Sequence, residues 1–259
     1  MLHRHDERGL TVVTQPAHAW ISGQLAALWG NESTGMRPAS LELRLAAEQH
    51  DIAWLDWESR PVLNPSTGLP YAFTEMPTLD HLELWSTATP RALAYGRLPA
   101  VLISMHGTYL YRRFHDFDSD TSQEAEAARA FLRKEEEFQR KAVGTLVDAG
   151  DISQLEIERQ RTLLSLWDAM SLALCMGFAD VRTFESVPID DGEIALSMEH
   201  AKDADDVITV DPWPFSSSDV FLRCDAKCLA GTFSDQETMR TALADADPVS
   251  LRFRLRAAT

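Results

Sequence analysis

The most hydrophobic run of the chain, LLSLWDAMSLALCMG from Leu163 to Gly177, contains one charged residue, Asp168. At under the ~20 residues that span a bilayer, the run reads as a helix buried in a core. Leu164, Leu172 and Cys175 lie on neighbouring turns around the aspartate. An unpaired carboxylate there is strongly destabilising even after the surroundings relax. The fold must therefore bring Asp168 an arginine, backbone amides or other donors, or a metal. Nearby sequence supplies little besides Arg161.

Histidines occur in the same kind of setting elsewhere. Thr14 and Pro16 mark the start of a helix that runs to about Trp29, where Gly30-Asn31 stops it. His18 belongs to its apolar stripe with Ile21, Leu25 and Leu28. In the next helix Leu43, Ala46, Ala47 and His50 share a face. Asp51 points about 100 degrees further round, so His50 and Asp51 reach one site only if the helix end lies beside a cavity. His81 falls in the first turn of TLDHLELW, which starts at Pro77-Thr78. His106 has Leu102, Ile103, Tyr109 and Leu110 on the adjacent turns, which predicts burial. Each of these histidines, taken alone, reads as a core side chain satisfied through its ring nitrogens. Together with Asp168 they form a ligand set for zinc, iron or manganese. His3, His5, His115 and His200 lack such surroundings.

The wider chain limits what such a site serves. A length of 259 residues suits one main domain with an appendage. The net charge of −16 argues against nucleic acid and membrane surfaces as partners and leaves a small molecule as the expected ligand. Three cysteines give no disulfide framework, and the charged opening MLHRHDERG has no apolar signal core, so a cytoplasmic location is expected. Residues 59–77, with four prolines and one glycine, read as a long loop of the kind that walls a pocket. The segment KEEEFQRK reads as a solvated helix face. Beyond Gly177 the stretches IALSMEH, DDVITV, DVFLRC and VSLRFRLR read as strands, with a short helix at Asp235–Ala244 and a structural plug at DPWPF. The expected architecture is mainly α, a helical metal-binding bundle at 1–187 with a small antiparallel β-rich appendage at 188–259. Cys224 and Cys228 sit in a strand with the wrong phase for zinc. P-loop, dinucleotide-binding and serine-hydrolase motifs are absent.

The order His18, His50-Asp51, His81, His106, Asp168 resembles the H…HD…H…H…D pattern of the HD-domain superfamily of metal-dependent enzymes. The resemblance covers about residues 14–176. It implies one or two divalent transition metals (Fe, Mn, Zn or Co). His18, His50, Asp51 and Asp168 would hold the first, and Asp51 would bridge to a second held by His81 and His106. The implied activity is hydrolysis of a small phosphorylated compound, with Asp51 catalytic. Many members carry glycine and a basic residue after the doublet, whereas this chain continues Ile52-Ala53-Trp54 and then Asp56, Trp57 and Glu58. Arg112 and Arg113 are possible substitutes for that base, or simply cations at a helix C-terminus. The same ligand pattern occurs in mixed-valent diiron oxygenases of small polyols or phosphonates, with which Trp54, Trp57, Tyr71 and Phe73 are compatible. A binding protein that kept the fold without turnover is a third reading. The segments TQPAHAWISGQLAALWG, AAEQHDIAWLDWE, HLELW, LISMHG, LLSLWDAMSL and DPWPF are similar to the bacterial domain-of-unknown-function family 3891, which implies no activity.

Overall fold

The computed structural model describes residues 1–6, 9–114, 120–202, 204 and 207–258. His115, most of the polar break after it, and Asp205 and Asp206 of DDVITV lie outside them. The chain opens as a hairpin, β1 (Leu2–Asp6) and β2 (Gly9–Val13). The Thr14 hydroxyl then accepts the Ala17 amide and starts α1 (Gln15–Leu28). Ser40 does the same for α2 (Leu41–Gln49), which is followed by the short α3 (Trp54–Ser59). The proline-rich stretch holds a two-residue hairpin, β3 (Leu63–Asn64) with β4 (Leu69–Pro70). Helices α4 (Thr78–Trp85), α5 (Ala88–Ala92) and α6 (Arg97–Phe114) come next. Ser122 and Ser153 cap the long helices α7 (Gln123–Asp148) and α8 (Gln154–Met176). The last third holds β5 (Arg182–Ile189), β6 (Gly192–His200), β7 (Val207–Asp211), β8 (Asp219–Leu229), α9 (Gln236–Asp245) and β9 (Pro248–Ala257). Among the described residues no helix is long and apolar enough to cross a membrane.

The expectation of a mainly α, all-helical bundle with a small antiparallel appendage is overturned. A curled seven-stranded sheet, a half-barrel in the order β1-β2-β8-β9-β7-β6-β5, dominates, and 24% of the described residues are in strands against 50% in helices. The sheet is mixed, because β7 runs parallel to β9 while its other pairings are antiparallel. The local pattern hid this for a physical reason. β1 lies in a charged opening segment, and β2 pairs with β8 through Leu10↔Leu229, a contact between opposite ends of the chain. Periodicity reports which face of a strand is buried, and says nothing about its partner.

One core runs from the helices into the sheet, joining Ile21 and Leu25 of α1 and Leu174 and Cys175 of α8 to Leu196, Leu222, Cys224 and Leu255. The DPWPF turn plugs one end. Gly30 N–H donates to the Pro214 carbonyl, Asn31 Nδ2 donates to the Trp213 carbonyl, and Phe215 meets Trp29 edge-on at 5.7 Å.

Close helix packing sets the positions of the histidines. Helices α2 and α8 pack against each other and each against α1 and α6, and α1 lies against α2 at Gly23. A Cβ at Gly23 would sit 2.9 Å from Glu48 Cβ and 3.2 Å from its Cα. Gly23→Ala should therefore lower stability by about 1–3 kcal/mol through overpacking, read as a drop in the urea midpoint at unchanged slope. An unchanged midpoint would mean that α2 moves aside without strain.

Candidate metal centre

Three elements deliver a buried cluster. α1 presents His18 and α8 presents Asp168. α2 ends at Gln49, so His50 and Asp51 lie in the turn leading to α3. That early stop lets two sequence neighbours face one point, which a continuing helix would forbid. His18 Nε2 is 2.7 Å from Asp51 Oδ2 and 3.8 Å from Asp168 Oδ1. His50 Nε2 is 3.5 Å from Asp51 Oδ2 and 3.3 Å from Asp168 Oδ1. Four donors around a tetrahedral ion at Zn–N and Zn–O bond lengths stand about 3.3 Å apart, and the observed separations bracket that value. The buried group His18, His50 and Asp168 could hold a metal ion.

The tautomers follow from the neighbours. Ser171 donates its one hydroxyl proton to the Asp168 carbonyl at 2.8 Å, so toward His18 its oxygen is an acceptor. His18 Nδ1, 2.8 Å away, therefore carries a proton, which leaves Nε2, hydrogen-bonded to Asp51 Oδ2 at 2.7 Å, as the nitrogen a metal would take up. Likewise His50 Nδ1 donates to the Ala47 carbonyl at 2.8 Å, and His50 Nε2 is a buried atom without a hydrogen-bond partner. Two imidazole nitrogens and two carboxylates thus converge at one buried point. Such an arrangement requires a cation.

The electrostatics agree. Burial pulls the His50 imidazolium down, but the carboxylates of Asp51 and Asp168 outweigh it and raise His50 to about 9. Burial works to raise Asp51 and Asp168, yet the surrounding imidazoles hold both below the usual carboxylate range. Without a metal, a proton on His50 takes the cation's place.

His106 on α6 stands just outside this group. Its Nε2 is 3.6 Å from the second oxygen of Asp168, its Nδ1 is 3.4 Å from Ser165 Oγ, and burial lowers it to about 4. His81 on α4 borders the same cavity with both ring nitrogens engaged. Nε2 accepts from Trp85 Nε1 at 3.0 Å, which assigns the proton to Nδ1, 2.5 Å from the Tyr111 hydroxyl. Arg161, the nearest cation in sequence, instead pairs with Glu158 and lies over the Tyr109 ring.

The cluster opens into a cavity of about 580 Å³. His18, Asp51, His81, His106 and Asp168 all border it, with Trp54 and Phe73 on its wall; Trp57 and Tyr71 are not on it. Of the two arginines ending α6, Arg112 pairs with Glu136 and Arg113 borders the cavity. The supporting serines were not singled out from sequence. Ser22 is four residues after His18 and Ser171 three after Asp168, the helical spacings at which a supporting donor or acceptor shares a ligand's face.

A helical layer over a curled mixed sheet, with a buried His/Asp cluster bordering a cavity, defines an α+β protein with a candidate metal centre. The chain belongs to the family described as "Protein of unknown function (DUF3891)", whose model matches residues 1–231. No curated protein and no solved structure matches it significantly.

Proposed function

We propose that the protein is a one-metal hydrolase of a small phosphorylated compound, cytoplasmic in keeping with its free thiols. The observation that carries this reading is the convergence of His18 Nε2, His50 Nε2, Asp51 and Asp168 on one buried point. The HD-type ligand order of the sequence agrees with that grouping. Zinc, manganese, cobalt and iron(II) all suit these nitrogen and oxygen donors. A divalent cation held there supplies Lewis-acid activation of water and charge neutralisation at the phosphoryl group.

The chain's own residues do the rest. Ser171 and the Ala47 carbonyl fix the two imidazoles in the tautomer that points a lone pair inward. His106, beside Asp168 and on the cavity wall, takes the proton of the attacking water. The water oxygen bonds to phosphorus as the ester P–O bond breaks. The proton then passes from His106 to the leaving oxygen, giving an alcohol and inorganic phosphate. A dinuclear oxygenase is favoured less, because a second metal would need His81, whose nitrogens are held by Trp85 and Tyr111.

Protein purified without chelator and loaded with each metal in turn should release phosphate from 4-nitrophenyl phosphate. His106→Gln should keep the metal and lower kcat by about 10²–10⁴-fold. Metal-independent turnover would overturn the proposal, as would two irons with a mixed-valent EPR signal and oxygen uptake.

A further inference from the structure

The cavity beside the cluster has a mixed wall, and its polar part selects among phosphorylated compounds, an inference that rests on the hydrolase reading above. Gln15, Thr74, Thr78, Tyr109, Tyr111 and Ser165 line it together with Trp54, Phe73 and other apolar side chains. Two side-chain atoms of these wall residues, Gln15 Oε1 and Trp54 Nε1, are buried without a hydrogen-bond partner. Gln15 is 3% exposed and Trp54 1%. Buried polar groups are nearly always satisfied, and leaving one unpaired is costly. An unpaired carboxamide on the wall of a cavity therefore points to a ligand.

Both residues stand close to the metal ligands. Gln15 precedes His18 by three residues on α1, a spacing that puts Cβ atoms about 5–6 Å apart on one helix face. Trp54 follows Asp51 by three residues and opens α3, which packs against α1. Glu58 of α3 accepts the Gln15 backbone N–H at 2.7 Å, so the start of α1 is held independently of the carboxamide. The last torsion of a glutamine is soft, and turning it brings Oε1 to the cavity. The chemistry of the two groups then limits what meets them. The indole N–H only donates, and the carboxamide oxygen only accepts. A phosphoryl or carboxylate oxygen takes a proton from the carboxamide NH2 or the indole and leaves Oε1 as unpaired as before. An ammonium donates to Oε1 but offers the indole nothing. A hydroxyl is the smallest group that serves both, since it accepts one hydrogen bond and donates another.

We propose that the substrate is a phosphomonoester whose carbon skeleton carries a free hydroxyl, and that Gln15, with Trp54 beside it, recognises that hydroxyl. The test is calorimetric titration of zinc-saturated protein with two phosphonates whose P–C bond resists hydrolysis, 3,4-dihydroxybutylphosphonate and n-butylphosphonate. The apolar part of the wall on its own favours n-butylphosphonate, so the sign of the difference is decisive. The dihydroxy compound should bind at least about tenfold more tightly, since a site built to pair a hydroxyl rejects the analogue that lacks it. Gln15→Leu keeps the backbone N–H on Glu58. It should abolish the preference while leaving n-butylphosphonate within about twofold and metal content unchanged. Trp54→Phe, which keeps a ring on the wall, should reduce the preference several-fold. Equal affinities in the unsubstituted protein, tighter binding of n-butylphosphonate, or a preference that survives both substitutions would overturn the inference. So would a Gln15→Leu variant that weakens both compounds alike. The two readings fail separately. Preference for the dihydroxy compound without phosphate release from glycerol 3-phosphate removes the hydrolase and keeps the hydroxyl site. Equal kcat/KM for glycerol 3-phosphate and n-propyl phosphate keeps the hydrolase and removes the hydroxyl site.

Discussion

Asp168→Ala should reduce copurifying metal from about one equivalent per chain to a trace and weaken metal affinity by more than the 10–100-fold typical of losing an outer-shell partner. Both carboxylate oxygens of Asp168 are committed. Oδ1 stands among His18 and His50, and Oδ2 faces His106. Alanine removes the anion that all three imidazoles share. Asp51 alone then neutralises half of a divalent charge in a buried site. Ser171→Ala tests the support rather than the ligand, since it removes the acceptor that holds the proton on His18 Nδ1. It should cost about 10–100-fold in affinity. His200→Ala is the control, because His200 bonds the Phe178 carbonyl and is not on the cavity wall. Elemental analysis together with competition against a chromophoric chelator reads all three, and circular dichroism checks that each variant is folded. Full metal content in Asp168→Ala would sink the assignment of this cluster as the metal centre.

The clustering of His18, His50, Asp51 and Asp168 was more legible in the sequence than the fold, and the reason is locality. Asp168 in an apolar run and His18 on an apolar stripe are each visible within two helical turns, and burial leaves a polar residue few options. The meeting of His50 with Asp51 depended on where α2 stops. No glycine or proline marks that stop; it comes from the turn at 50–53 packing into the core. His81 shows what periodicity cannot resolve, since a buried-side histidine looks the same whether its lone pair meets an ion or the Trp85 indole. Glu135 makes the opposite point. It belongs to a segment whose charge density predicts a solvated face, yet it is 3% exposed and accepts from the Thr89 and Ser104 hydroxyls. Its partners lie on α5 and α6, beyond the reach of any local reading. The sheet was hidden for the same reason on a larger scale. Its order depends on the chain's first strands meeting β8 and on a parallel β7–β9 pair, and strand pairing of that range leaves no local trace.

Trp167→Ala should destabilise the protein by about 3–5 kcal/mol, a large part of the total stability of an ordinary domain. The side chain is fully buried next to Asp168. It meets Trp29 edge-on at 5.5 Å, Trp29 meets Phe215 at 5.7 Å, and Phe215 meets Trp213 at 4.9 Å. This aromatic row ties α8 to α1 and to the plug turn, and each such pair contributes roughly 0.5–1.5 kcal/mol beyond burial alone. Trp167 Nε1 has no hydrogen-bond partner, so Trp167→Phe forfeits volume without breaking a polar contact and should cost well under half as much. Equal losses for the two variants would show that the indole nitrogen is satisfied by something other than packing. The row also bears on the metal centre, because the one hydroxyl proton of Ser22 is shared between the Trp167 carbonyl at 3.2 Å and Ser171 Oγ, behind His18, at 2.9 Å. An ion that binds the folded form alone adds about 2.7 kcal/mol of stability at 100 times its Kd. Metal should therefore recover most of the urea midpoint lost in Trp167→Ala and none of it when Asp168→Ala is added to the same chain. Equal recovery in both would mean that the ion stabilises the protein from some other site.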